Sequence, residues 1–266
     1  MFELIAIAIA ILGGFVAGLW DLKTTDIPDE APALMAVLGL FLWYVSGMTT
    51  GDWTPFITSA ILGTVVFAGG WALYKAGQWG GGDAALLAGI FYLVPNITQL
   101  ADFIFDFFIV ALGYLIVYSI SLGVLNPKVF GYTFGEIKQR KLTPLLVWIA
   151  LNILALVPLS GMGTKYALIG WLTLAIASVI LFYVYAKVVE RRLFKRVIPV
   201  SKLKVGDVLA DSKRWEGITA EQITELARKH KTIAVKEGVR FGLVFPIALI
   251  VSLLLGNILY WFAGMF

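Results

Sequence analysis

Long apolar runs recur along this chain at lengths that suit helices crossing a lipid bilayer. Such a helix needs about 20 predominantly apolar residues. Of the 266 residues, 60% are hydrophobic and only 14% are charged. The sequence therefore predicts an all-α polytopic membrane protein with about eight transmembrane helices, over residues 2–20, 31–48, 54–74, 83–95, 102–123, 143–159, 165–187 and 241–264.

The fourth run is the shortest, because Pro95 ends it. The distribution of cations indicates that it crosses the membrane. With eight spans and both termini outside the cytoplasm, every Lys and Arg except Lys165 lies on one face. The positive-inside rule makes that face cytoplasmic. We therefore expect a multi-pass protein of the cell membrane, with six spans as the alternative if a complete hairpin does not cross.

Residues 190–240 break the apolar pattern. Short runs at 198–200, 207–210 and 232–236 are typical of strands. Thr219 and Gln222 form a capping-box pattern, which predicts a helix from there to about Lys229. We expect three regions: a transmembrane helical domain with the site (1–189), a small α+β cytoplasmic subdomain (190–240) and a final transmembrane helix (241–266).

Two acids lie at the ends of predicted spans on the same face. Asp21 ends the first span, and Asp83 begins the fourth directly after Gly80, Gly81 and Gly82. Peptide hydrolysis by carboxyl groups alone needs two of them, one to activate water and one to protonate or hydrogen-bond the carbonyl oxygen. The glycines would let the backbone approach closely and adopt positive φ, so that an extended substrate lies beside Asp83. The two acids are thus the candidate catalytic pair.

Other chemistries lack their residues. The chain has no cysteine, which excludes a thiol nucleophile and a cysteine zinc site. Its single histidine, His230, lies in the predicted soluble segment, so a His-Glu-x-x-His zinc site is excluded as well. We expect no metal and no cofactor. The net charge of +4 follows from membrane topology and indicates no nucleic-acid partner. Asp102 and Asp106 are interpreted as acids at the start of the fifth helix.

The two acids stand in motifs that resemble a known family. Gly80-Gly81-Gly82-Asp83 matches the GxGD signature of membrane aspartic proteases. Asp21, followed by Lys23 and Asp26-Ile27-Pro28, resembles the first catalytic motif of the type IV prepilin and preflagellin peptidases. The tail at 233–241 is similar to the archaeal members. The missing cysteine zinc element favours the archaeal preflagellin peptidase branch.

This resemblance implies an aspartic endopeptidase that cleaves the leader peptide of membrane-anchored pilin-like or flagellin-like precursors. Cleavage would occur at the cytoplasmic membrane edge, where a polar leader meets a buried helix. The leader is basic, so three acids close to Asp21 in sequence are candidates for holding it: Asp26, Asp29 and Glu30.

Two alternatives stay open. Presenilin and signal peptide peptidase share the GxGD signature, but Trp20 stands here where that branch has Tyr, and Pro32-Ala33-Leu34 precedes the second acid. A non-enzymatic transporter or scaffold could use the same acids to bind a cation or to anchor the membrane interface. Closeness of the two carboxyl groups distinguishes a catalytic pair from separate anchors. The sequence leaves the oligomeric state and the choice between pilin and flagellin precursors open.

Overall fold

The computed structural model describes residues 1–95, 97–139, 143–159, 164–212, 217–256 and 258. It is mostly helical, with one small sheet. The helices are α1 (Phe2–Thr24), α2 (Glu30–Thr50), α3 (Thr54–Lys75), α4 (Gly81–Leu93), α5 (Ile97–Leu125), α6 (Lys128–Gln139), α7 (Thr143–Leu159), α8 (Thr164–Leu193), α9 (Ala220–Lys229) and α10 (Val244–Leu255). The strands are β1 (Lys195–Pro199), β2 (Val208–Leu209) and β3 (Thr232–Lys236).

Four helices of the described chain are long and apolar enough to cross a membrane. They are α1, α2, α3 and residues 102–125 of α5. Shorter apolar helices are α4, residues 145–154 within α7, and α10. The predicted polytopic helical fold is therefore confirmed, whereas the number of eight spans stays a prediction. The predicted end of the last span, at residue 264, lies outside the described residues.

Contacts between residues divide the chain into two compact units. One unit contains residues 1–114 and 198–266, and the other contains residues 115–197. The first unit holds α1 to α4 and both predicted site acids. The division into domains at 189 and 240 that the sequence suggests stays a prediction.

Helix α4 is short because it ends inside the first unit. Proline at position 95 ends the run, and the last carbonyls of a helix have no partner within it. Side chains of the neighbouring helices satisfy two of them: Ser59 Oγ donates to Tyr92 O at 2.6 Å, and Trp43 Nε1 donates to Leu93 O at 3.1 Å. Backbone that stops at membrane depth must be satisfied by protein, since lipid offers no hydrogen bonds. These contacts allow the fourth predicted span to form a short helix.

Two glycines let α4 lie directly against its neighbours. A methyl group built on Gly39 of α2 would lie 2.5 Å from Tyr92 O. One built on Gly63 of α3 would lie 2.5 Å from the Tyr92 ring. Small residues at helix contacts in membranes allow such close approach. A residue larger than glycine at position 39 or 63 would therefore take up the space that the end of α4 occupies.

The segment from β1 to β3 folds much as its sequence predicts. The strand order in the sheet is β1-β3-β2, and β2 pairs antiparallel with β3. Thr219 is the N-cap of α9, and the reciprocal bonds of a capping box with Gln222 are both formed, which confirms that prediction. The apolar residues between sheet and helix form a separate small core of buried Val200, Leu203, Ile218 and Val235.

The interpretation of Asp106 as a helix-start acid is wrong. Helix α5 begins at Ile97, so Asp106 lies in its third turn and is fully buried. Its Oδ1 accepts a hydrogen bond from the backbone N–H of Ile258 at 2.8 Å. This acid therefore joins α5 to the chain that follows α10.

We predict that Gly63→Ala destabilises the protein, whereas Gly69→Ala in the same helix does not. The added methyl group at Gly63 overlaps the Tyr92 ring, and overpacking of this kind costs about 1–3 kcal/mol. Gly69 is exposed and has no atom within 4 Å of an added methyl group, so its substitution is close to neutral. Denaturant unfolding in detergent measures both variants. Equal stabilities would contradict the close packing of α4 on α3.

Candidate active site

Asp21 lies on the buried face of α1. Small residues recur on this face at spacings of three or four, which place them on one side of a helix. Asp21 continues the same face and is 6% exposed. Its side chain therefore points into the first unit and not toward lipid. The other buried residues of this face are Ala6, Ala10, Gly14, Ala17 and Gly18.

The backbone that leads into α10 fixes the carboxyl group of Asp21. Gly242 donates its N–H to Asp21 Oδ2 at 2.8 Å. A methyl group on Gly18 would lie 2.8 Å from the backbone nitrogen of Leu243, so the two segments touch. Arg240 is close enough for its positive charge to act on Asp21. One oxygen of this acid is thus held by a backbone donor 221 residues away in sequence.

The glycine loop begins α4 and places Asp83 in its first turn. Gly80 is the N-cap residue with φ −76° and ψ 142°, followed by Gly81 and Gly82 within the helix. None of the three has positive φ, so that part of the sequence interpretation is wrong. What Gly80 provides is space, because a methyl group there would lie 2.6 Å from Asp83 Oδ2. A larger residue would press directly on the carboxyl group.

The loop between α1 and α2 packs against the glycine loop. Ile27 is buried, and a methyl group on Gly82 would lie 2.9 Å from Ile27 Cβ. This contact brings the end of α1 to the start of α4. Asp21 and Asp83 are consequently close enough for their charges to interact. The structure therefore brings together the two acids that the sequence placed on the same membrane face.

The three candidate leader-binding acids occupy different places. All three are exposed. Asp26 is close enough to Asp21 for its charge to act on that acid. Asp29 and Glu30 are the N-cap and first residue of α2, where the helix dipole favours acids. Within the described part of the chain, neither of these two side chains forms a hydrogen bond or ion pair with the site.

Sequence reasoning missed the contribution of Arg240 and Gly242. The resemblance to the archaeal tail covered Arg240, but it gave no reason to place this segment beside Asp21. Tyr114 of α5 holds the same segment through a hydrogen bond from its hydroxyl to Arg240 O. The only local signal is a glycine directly before the last apolar run. A contact between residues so far apart in the chain leaves no pattern in the sequence around either residue.

In chemical terms, the site offers two neighbouring carboxyl groups with different surroundings. Asp21 is almost fully buried and held by a backbone donor, whereas Asp83 is half-buried beside a glycine loop. Such a pair can hold a water molecule and exchange protons with it. No described group of His, Asp or Glu side chains in the structure has the clustering that a metal ion requires.

Comparison with known proteins finds a single family over the region that carries both acids. Residues 8–125 match the type IV leader peptidase family. The chain is 29% identical over 203 residues to a protein named prepilin peptidase EppA from Methanothermobacter thermautotrophicus, covering 71% of this chain and 53% of that relative. It is 34% identical over 93 residues to a preflagellin peptidase from Methanococcus voltae, covering 35% of this chain and 40% of that relative.

These matches confirm the family that the motifs suggested, for the region they cover. Residues 8–125 of this multi-pass membrane protein are similar to the type IV leader peptidase family. The chain spans about half the length of the curated relatives it matches. No solved structure matches the chain.

Proposed function

We propose that this chain is a membrane aspartic endopeptidase that removes the leader peptide from prepilin-like or preflagellin-like precursors. The observation that carries the proposal is the closeness of Asp21 and Asp83, which come from different helices. Both relatives that match the chain are named as peptidases of this kind. Separate interface anchors on different helices would not need carboxyl groups whose charges interact, which disfavours a transporter or scaffold.

The proposed reaction uses both acids on one water molecule. One carboxylate takes a proton from water, whose oxygen attacks the carbonyl carbon of the leader peptide bond. The other acid donates a hydrogen bond or a proton to the carbonyl oxygen. The C–N bond then breaks, and the leaving amine takes a proton from the pair. The N–H of Gly242 fixes Oδ2 of Asp21, so the reaction would use its other oxygen, Oδ1.

The substrate would reach the site in an extended form at the cytoplasmic membrane edge. Gly80, Gly81 and Gly82 directly precede Asp83 and carry no side chains. Extended peptide could therefore approach the carboxyl group closely. A bond at the boundary between a polar leader and a membrane helix would meet the acids at this depth. We infer from the distribution of Lys and Arg, by the positive-inside rule, that this edge is the cytoplasmic one.

The exposed acids near Asp21 would hold the leader. The face that carries them is otherwise rich in Lys and Arg, which would repel a basic segment. Among these three acids, Asp26 is the one whose charge acts on Asp21, and it would contact leader residues next to the cleaved bond. Asp29 and Glu30 begin α2 and would act at longer range on residues farther along the leader.

We predict that Asp21→Asn and Asp83→Asn each abolish leader cleavage. Each substitution removes a group that must exchange a proton, and losses at such residues are on the order of 10³-fold or more. The assay is cleavage in membranes of both a prepilin-type and a preflagellin-type precursor. Asp52→Asn is the matched control, because Asp52 is exposed in the loop between α2 and α3. Near-native activity in either site variant would refute the dyad.

We also predict that neutralising the leader-binding acids weakens substrate binding without slowing the chemical step. In the variant Asp26→Asn, Asp29→Asn, Glu30→Gln, the Michaelis constant for a basic leader should rise by about tenfold, because each exposed charge contributes up to about 1 kcal/mol. The turnover number should stay within about twofold. The control Asp211→Asn, Glu221→Gln neutralises exposed acids of the soluble segment. An unchanged Michaelis constant would remove the proposed role.

A further inference from the structure

Helix α6 is an element that the proposed protease function does not use. It lies between α5 and α7, within the stretch between two predicted spans that carries Lys128, Lys138, Arg140 and Lys141. It lies in the second unit, with α8 as its neighbour. Its position, its two faces and its charges together indicate a partner.

The connections of α6 hold it close to the membrane boundary. Only two residues separate Leu125, the end of α5, from its first residue. Two intervening residues span at most about 10 Å. Three residues separate its end from Thr143, where α7 begins. Residues 102–125 of α5 are long and apolar enough to cross a membrane, and residues 145–154 of α7 form a shorter apolar helix. The short connections to these two helices favour a position of α6 at the membrane surface.

One side of α6 is packed on protein and the next side is exposed and apolar. Val129 is buried against Tyr185, Val188 and Val189 of α8. Phe134, five residues after Val129, is 64% exposed. Five residues correspond to a rotation of about 140° around a helix, so Phe134 lies on a different side of α6 from Val129. Phe130, one turn earlier on the same helix, is 49% exposed. Two neighbouring exposed aromatic rings form an apolar patch, which is typical of helices that lie in the interface of a bilayer.

The charges of α6 are arranged to favour an anionic surface. Its single acid, Glu136, is neutralised by Arg191 of α8 at 3.1 Å. Lys128 and Lys138 are exposed and form no ion pair within the described part of the chain. Arg192 adds a further cation close by, with its guanidinium 4.6 Å from the centre of the Tyr132 ring. The helix thus presents uncompensated positive charge beside an apolar side.

We propose that α6 is an interfacial helix that binds anionic lipid headgroups, with Phe134 inserted at the boundary between headgroups and acyl chains. Lys128 and Lys138, which lie near the two ends of α6, contact the lipid phosphates. A helix of this type lies with its apolar side about 5–10 Å deep in the interface. Basic residues near the surface attract anionic lipid. This proposal is independent of the protease function, because it concerns neither site acid.

A spin label at position 134 tests the proposal, and the absence of native cysteine makes single labelling direct. The variant Phe134→Cys is labelled with a nitroxide in nanodiscs of phosphatidylcholine alone or mixed with phosphatidylglycerol. Accessibility to oxygen and to a neutral nickel chelate gives the depth of the label. Leu12→Cys, exposed near the middle of α1, provides the reference for hydrocarbon. Glu221→Cys on α9 provides the reference for water.

The expected result is a label depth between the two references. Phosphatidylglycerol should raise the ratio of oxygen to nickel accessibility by about twofold. Lys128→Gln with Lys138→Gln should abolish this increase, whereas the control Lys202→Gln with Lys204→Gln should retain it, since both control lysines are exposed elsewhere.

Three results would overturn the proposal. Nickel accessibility equal to that of the water reference would mean that α6 does not touch the bilayer. Protection from both reagents would mean that protein, such as a second copy of the chain, covers Phe134. Interfacial depth with no dependence on phosphatidylglycerol would remove the anionic headgroup as the partner.

Discussion

Close approach of backbones at small residues is the constraint on which the first unit depends. Gly18 of α1 lies against the segment before α10, and Gly39 and Gly63 receive the end of α4. In a membrane there is little hydrophobic gain from joining two apolar helices, so van der Waals packing between close backbones must hold them. The same contacts determine where the two acids lie. Asp21 follows Gly18 on one face of α1. Asp83 lies in the first turn of α4, and the other end of α4 packs against Gly39 and Gly63.

The need to satisfy polar groups away from water explains the remaining architecture. Helix α4 can stop short because Ser59 and Trp43 supply donors to its last carbonyls. Asp21 can be buried because Gly242 supplies a donor to its carboxyl group. Each case solves the problem with a residue from another helix or segment. The proposed site is therefore built by packing, and its acids cannot be understood from their own helices alone.

The sequence predicted those features that are encoded locally. Apolar runs gave most helices, the pattern of Thr219 and Gln222 gave the start of α9, and the run at 232–236 gave β3. The two acids could be placed on one face because helix ends follow from run lengths. Motifs of a few residues then pointed to the family, which the match over residues 8–125 confirms.

The remaining features depend on contacts that no local pattern carries. The bond between Gly242 and Asp21 joins residues 221 apart, and no property of either neighbourhood predicts their pairing. Helix α6 is short and amphipathic, so a search for long apolar runs treats it as a loop. The assumption of positive φ in the glycine loop was wrong because Gly80 acts as an extended N-cap residue. In that loop, Gly80 is needed because it leaves space for the carboxyl group of Asp83.

The most direct test of the central claim, that Asp21 and Asp83 act together on one water molecule, is the affinity of a peptide that mimics the attacked state. A leader peptide with a hydroxyethylene group in place of the cleaved bond presents a hydroxyl where that water would lie. Such analogues bind at least about 100-fold more tightly than substrates. We predict this gain for the native protein in nanodiscs, and its loss in both Asp21→Asn and Asp83→Asn. Equal affinity for the analogue and for an uncleaved leader peptide of the same length would contradict the account.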